Sequence, residues 1–222
     1  PQQKGLRPYG QEAAEAADDH GSKTRETIGF NRKEAMGTLT FWIIALTSTV
    51  YGAGLTAALQ NQVSILTEQG FTATSAVAAI GVVGIGSAVG KLIFGYLCDR
   101  INPKYAAAIS YALTASSLII MIQARSMTHL WLFAVIHGLG HGGWAPNLAM
   151  LAVSYFGLKH YGAVLGAMHL LYMAGLAIGP MIAGFAYDQT GSYRLVLVVF
   201  AVLCFVSVPV IVVIRKPKIV SD

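Results

Sequence analysis

The sequence predicts an all-α membrane protein of six transmembrane helices, arranged as two inverted three-helix repeats. Three observations predict it. Hydrophobic residues make up 55% of the 222 positions and charged residues only 11%, where a soluble globular domain carries about a quarter charged. Six apolar runs each reach the about 20 helical residues needed to cross a hydrocarbon core about 30 Å thick. A glycine-rich stretch in the second run returns in the fifth.

The chain opens on a polar segment, residues 1–37, with six Lys/Arg and six Asp/Glu that cancel. It offers little apolar surface to bury, so the expectation is a mobile linker, with at most a short helix from Glu12 to His20. The start at Pro1 reads as that of a fragment or trimmed product. From Thr38 the character changes. The runs are 38–66, 72–98, 104–124, 128–156, 161–187 and 193–214, followed by a basic tail at 215–222. Strands would be shorter, and backbone groups in lipid must be satisfied within the segment, which selects helices. The connections are short and polar.

Lys and Arg near the run ends set the orientation. One side collects Lys23, Arg25, Arg32, Lys33, Arg100, Lys104, Lys159, Arg215, Lys216 and Lys218; the other has Arg125 and Arg194. Both chain ends are therefore expected on the cytoplasmic side of a plasma (inner) membrane. Charge spread over loops in this way excludes a nucleic-acid surface, which gathers charge on one face. Cys98 and Cys204 lie in or beside apolar runs and show neither zinc nor redox spacing.

The second run ends Gly86-Ser-Ala-Val-Gly90-Lys-Leu-Ile-Phe-Gly95-Tyr-Leu-Cys-Asp99, and the fifth ends Gly175-Leu-Ala-Ile-Gly179-Pro-Met-Ile-Ala-Gly184-Phe-Ala-Tyr-Asp188. Six of the fourteen positions are identical at an offset of 89. The same offset carries the first run onto the fourth and the third onto the sixth. One triplet starts outward and the other inward, which is the pattern of an inverted repeat.

Gly95-Tyr-Leu-Cys-Asp99-Arg100-Ile-Asn-Pro-Lys104 resembles the loop signature of the major facilitator superfamily, departing from it at Asn102-Pro103. Gly138-Leu-Gly-His-Gly-Gly143-Trp-Ala-Pro146, Tyr155-Phe-Gly157 with Tyr161-Gly162, and Gly179-Pro180 with Asp188-Gln-Thr-Gly191 sharpen the likeness. They resemble the C-terminal half of its monocarboxylate and oxalate/formate antiporter branch. The resemblance implies secondary active transport of a small mono- or dicarboxylate by alternating access, through proton symport or anion exchange. It also implies an N-terminal six-helix half as partner, absent from this sequence. Gly95, Asp99, Arg100 and Lys104 would form a cytoplasmic gating latch. An efflux pump for apolar compounds and a non-transporting sensor or scaffold on the same fold remain open.

Lys91 is a full charge deep in an apolar run, a functional candidate by its cost; the resemblance implies that it holds a substrate carboxylate, while its stem also permits snorkelling. His169, near the middle of the fifth run, can couple a proton or bind an anion, or sit satisfied in the core. The oxalate antiporters place a Lys on this helix, and none is present here. Tyr51, Trp144 and Asn147 fall at cavity depth. His137 and His141 share a face but lack a third ligand, so they line a cavity or pack rather than hold a metal. Gly81, Gly84, Gly86 and Gly90 form a stripe for close helix contact. No catalytic grouping, metal site or cofactor motif is present.

Overall fold

The computed structural model describes residues 29–217. The expected helix at Glu12–His20 and the charges Lys23, Arg25 and Lys218 lie outside the described residues. The helices are α1 (Arg32–Met36), α2 (Leu39–Gln60), α3 (Gln62–Glu68), α4 (Ala73–Arg100), α5 (Pro103–Ile122), α6 (Met127–Gly142), α7 (Trp144–Phe156), α8 (Tyr161–Thr190) and α9 (Arg194–Val213). Five of them, α2, α4, α5, α8 and α9, are each long and apolar enough to cross a membrane.

Polar residues at the run boundaries start the helices. Thr38, Thr72 and Ser126 each accept the backbone N–H three residues on, replacing a donor that the first turn leaves unpaired. Asn102 does the same for α5, accepting from Lys104 N, and Pro103 occupies the first helical position, where no N–H is needed. The departure from the family signature at Asn102-Pro103 is thus a helix start. α8 ends at Gly191, whose φ of 66° is the left-handed conformation that glycine adopts without strain.

Two runs expected to be continuous are broken. The first gives way to α3 at Asn61. The fourth is divided at Gly143, because Pro146 has no N–H for the Gly142 carbonyl and its ring crowds that carbonyl. Gly143 keeps helical dihedrals, φ −72° and ψ −18°, so the chain continues after an interrupted hydrogen-bond ladder. The polar segment is also corrected at its end. Phe30 is buried, its N–H donates to the Phe156 carbonyl at 2.9 Å, and Gly29 bridges Gly157. Asn31 and Glu34 cap α1 reciprocally. Residues 29–36 therefore pack on the bundle instead of continuing a linker.

The helices cross in two related pairs. In the α4/α6 crossing, Gly86 lies against Gly138 and Gly90 against Gly142; in the α2/α8 crossing, Gly175 lies against the backbone of Thr49 and Gly179 against that of Ala53. Adding 89 to Thr49, Ala53, Gly86 and Gly90 gives Gly138, Gly142, Gly175 and Gly179. One crossing is therefore the other repeated, residue for residue, as the inverted repeat requires. Tyr51 and Gly140 are also 89 apart, and the Tyr51 hydroxyl donates to the Gly140 carbonyl at 2.5 Å. That contact joins equivalent points of the two repeats and marks the region of their pseudo-two-fold axis. The stripe of four glycines divides: Gly86 and Gly90 make the crossing, while Gly81 and Gly84 face open space.

Pro180 removes the amide that would bond the Leu176 carbonyl in α8. Thr56 of α2 supplies a replacement, its hydroxyl 3.0 Å from Leu176 O and 2.9 Å from Gly52 O. Thr56→Val is expected to destabilise the bundle by about 1 kcal/mol. The loss should shrink in a Pro180→Ala background, where residue 180 again donates to Leu176. A double-mutant cycle of melting midpoints checks this, and equal losses in both backgrounds would reject the role assigned to Thr56.

Candidate functional site

Two large apolar cores fill most of the bundle, one containing Phe41, Ile44, Leu151 and Phe156, the other Leu66, Val83, Leu118 and Leu130, with a small third at Phe94, Cys98 and Ala106. α5 passes from one to the other through Ser110, Tyr111, Thr114 and Ser117, all buried. Buried polar groups need partners, and several here find one another across helices, while Thr114 Oγ1 and His137 Nε2 have no partner among the described residues. Asn147 donates to Ser110 Oγ at 2.9 Å and accepts from Cys98 Sγ at 3.3 Å. Ser48 Oγ meets the Tyr111 hydroxyl at 3.1 Å. His137 is fully enclosed, bonded through Nδ1 to Ser117 Oγ at 2.8 Å, with its ring against Phe133.

The helix break at Gly143 places Trp144 at the start of α7, beside α8. There it stacks on Tyr172, ring centroids 5.2 Å apart and planes 9° apart, and on His169, at 5.7 Å and 10°. Tyr172 continues toward Tyr51 at 6.5 Å, and Tyr51 toward Tyr111 at 4.8 Å. The indole of Trp144 lines two spaces. One, of about 10 Å³, is bounded by Ser48, Tyr51, Tyr111, Asn147 and Tyr172. The other, of about 350 Å³, runs past Ala145, Ala149, Gly162, Gly166 and His169. The larger volume is that of a site for a small organic molecule.

Four of the five expected binding residues, Tyr51, Trp144, Asn147 and His169, are thus gathered in one cluster. Lys91 lines neither space. Its side chain is exposed on α4, on the face that carries Gly84, Ala88 and Gly95, and its backbone touches the Gly142 crossing. Tyr111 and Ser110 belong to the cluster but had no signal in the sequence beyond being polar atoms in an apolar run. Tyr172, one turn from His169, was signalled by that spacing alone.

At the C-terminal end of α4, Asp99 and Arg100 are exposed, with the Arg100 guanidinium 5.2 Å from the centre of the Tyr96 ring. Lys104 Nζ donates to the Ile214 carbonyl at 3.4 Å and lies over Tyr105. Gly95 meets open space.

An all-helical bundle of inverted repeats, five of its helices long and apolar enough to cross a membrane, has the architecture of multi-pass membrane carriers. The sequence matches the family model described as Major Facilitator Superfamily over residues 37–221. The chain belongs to the major facilitator superfamily, whose members are transporters and not enzymes. It is 32% identical over 121 residues to Monocarboxylate transporter 9 of Gallus gallus, an alignment covering 51% of this chain and 23% of that protein. It is 26% identical over 179 residues to the Gallate transporter of Pseudomonas putida, covering 77% of this chain and 37% of that protein. The chain thus resembles the monocarboxylate branch, and it spans well under half the length of these relatives. Among solved structures it is similar in fold to the E. coli fucose:proton symporter, TM-score 0.67, 16% identity, covering 82% of this chain and 45% of that one.

Proposed function

We propose that this chain is the C-terminal half of a secondary transporter that moves a small organic anion of the mono- or dicarboxylate class by alternating access. The observation that carries the reading is the stack of Trp144 on Tyr172 and His169 beside a space of about 350 Å³. The indole of Trp144, the imidazole of His169 and small or aliphatic neighbours line that space, which suits a compact acid, because apolar surfaces hold its body and a polar group orients it. Relatives named for monocarboxylate and gallate support the class. A carboxylate attached to a planar ring or conjugated chain matches the stack best.

Lys91 supplies the positive charge. It stands on the open face of α4 with small residues around it, and in the assembled transporter that face looks toward the N-terminal half. A charge displayed to the interface between halves, near the His141 end of α6, neutralises a carboxylate held between them. Asp99, Arg100 and Lys104 act as a latch at the Lys/Arg-rich end, which we place in the cytoplasm of a plasma-membrane protein with both ends of this chain inside. The chain before Gly29 connects the halves.

The test is uptake of a radiolabelled panel of aliphatic and aromatic carboxylates into proteoliposomes holding the full-length protein, with and without Lys91→Ala. One acid taken up and lost in the variant at unchanged protein content establishes an organic-anion carrier and its charge site. Uptake unchanged by the substitution would remove Lys91 from the site. No uptake of any acid would turn the reading toward efflux or sensing.

A further inference from the structure

The geometry points to a second binding site, at the end of the bundle opposite Lys104, for the phosphodiester headgroup of an anionic lipid. This inference rests on the membrane placement that the family gives and is independent of the transported substrate.

Among the described residues two Lys/Arg stand at that end, Arg125 and Arg194, and they are separated by a whole helical hairpin in sequence. The fold brings both to one space of about 290 Å³ between the ends of α3 and α5 and the start of α9. Two guanidinium groups against the one carboxylate of Glu68 leave the recess with a net positive charge that draws an anion, and phosphate is a group that arginine forks grip well. Arg194 is the first residue of the 20-residue α9. A cation there opposes the helix dipole, whose positive end also favours an anion. The two features together make the recess attractive to negative charge in a way that neither does alone.

Two acceptors share the same walls. Glu68 reduces the net side-chain charge of the recess from two positives to one, which matches a singly charged phosphodiester better than a free dianion. Gln69 donates through Nε2 to the Met121 carbonyl at 2.9 Å, which fixes its amide, while its buried Oε1 has no donor among the described residues. Beside Arg194 on α9 the exposed side chains of Leu195, Val198 and Val202 share one face, along which acyl chains can lie. That ridge favours a lipid over a free anion.

The experiment measures the thermal unfolding midpoint of the full-length protein in detergent with added phosphatidylglycerol, phosphatidylcholine or soluble glycerol phosphate. It is repeated with the pair Arg125→Gln/Arg194→Gln. A ligand that binds only the folded state raises the midpoint. The expected result is a rise with phosphatidylglycerol over phosphatidylcholine in the unchanged protein and none in the pair. Equal rises in both proteins, or no preference for phosphatidylglycerol in the unchanged one, would overturn the proposal. A rise with glycerol phosphate equal to that with phosphatidylglycerol, and lost in the pair, overturns the lipid assignment and leaves a free-anion site. Native mass spectrometry of the unchanged protein gives a reading that does not depend on the variant folding: retention of phosphatidylglycerol no greater than of phosphatidylcholine also overturns it.

Discussion

Gly142→Ala and Gly179→Ala are expected to destabilise the bundle by about 2 kcal/mol each, while the same change at Gly84 is neutral or stabilising by up to about 1 kcal/mol. A Cβ at Gly142 would stand 2.6 Å from Gly90 Cα and from Lys91 N, and one at Gly179 would meet the Ala53 carbonyl. Backbone cannot rotate aside as a side chain can, so the helices must separate along their whole crossing. At Gly84 nothing lies within 4 Å, and only the gain in helix propensity remains. Fluorescence-detected size-exclusion profiles after heating check the three variants. The two crossings are repeat-related, so their losses should be alike in size. If Gly142→Ala were as stable as Gly84→Ala, the close backbone contact would not be what holds α4 on α6.

Trp144→Ala is expected to lower uptake of the transported acid about ten-fold or more while leaving the protein folded. Each of the two stacked pairs is worth about 0.5–1.5 kcal/mol, and tenfold in rate corresponds to about 1.4 kcal/mol. Removing the indole also joins the two spaces it separates, so the small one beside Tyr51 and Asn147 loses its wall. Trp144→Phe keeps a ring over Tyr172 and His169 and should hold uptake within about three-fold, since only one of the two indole rings is lost. A melting midpoint close to that of the unchanged protein in both variants separates a site effect from misfolding. Equal uptake in Trp144→Ala and the unchanged protein would remove the stack from the transport path.

Much of this architecture is legible in the sequence because membrane helices need length and apolarity, and both are local. The offset of 89 is also visible, and it reaches contact level because a glycine needed for one crossing is needed again at its repeat partner. The break at Gly143 was missed because the run was read for hydropathy, whereas the consequence of Pro146 falls four residues upstream, on the Gly142 carbonyl. Residues 29–36 were assigned to a polar linker because their composition is polar. Only Phe30 and Ala35 of these eight are buried, and two residues do not change an average. Of the site, Trp144 and His169 could each be named on its own helix. Their stacking depends on how α7 lies against α8, which no spacing within either helix encodes. Lys91 stood out as a charge, but the side of α4 it occupies is set by which glycines are used for the crossing.

The anchoring of Phe30 changes where the chain can be cut. Hydropathy alone invites a boundary at Thr38, where the apolar run begins. A truncation there would strip Phe30 from its edge-on contact with Phe156, 5.8 Å between ring centres, and leave the Phe156 carbonyl and the turn at Gly157 without their backbone partners. Co-expressed half-transporters, circular permutants and domain swaps with relatives should therefore join upstream of Gly29, so that the segment travels with the bundle it closes.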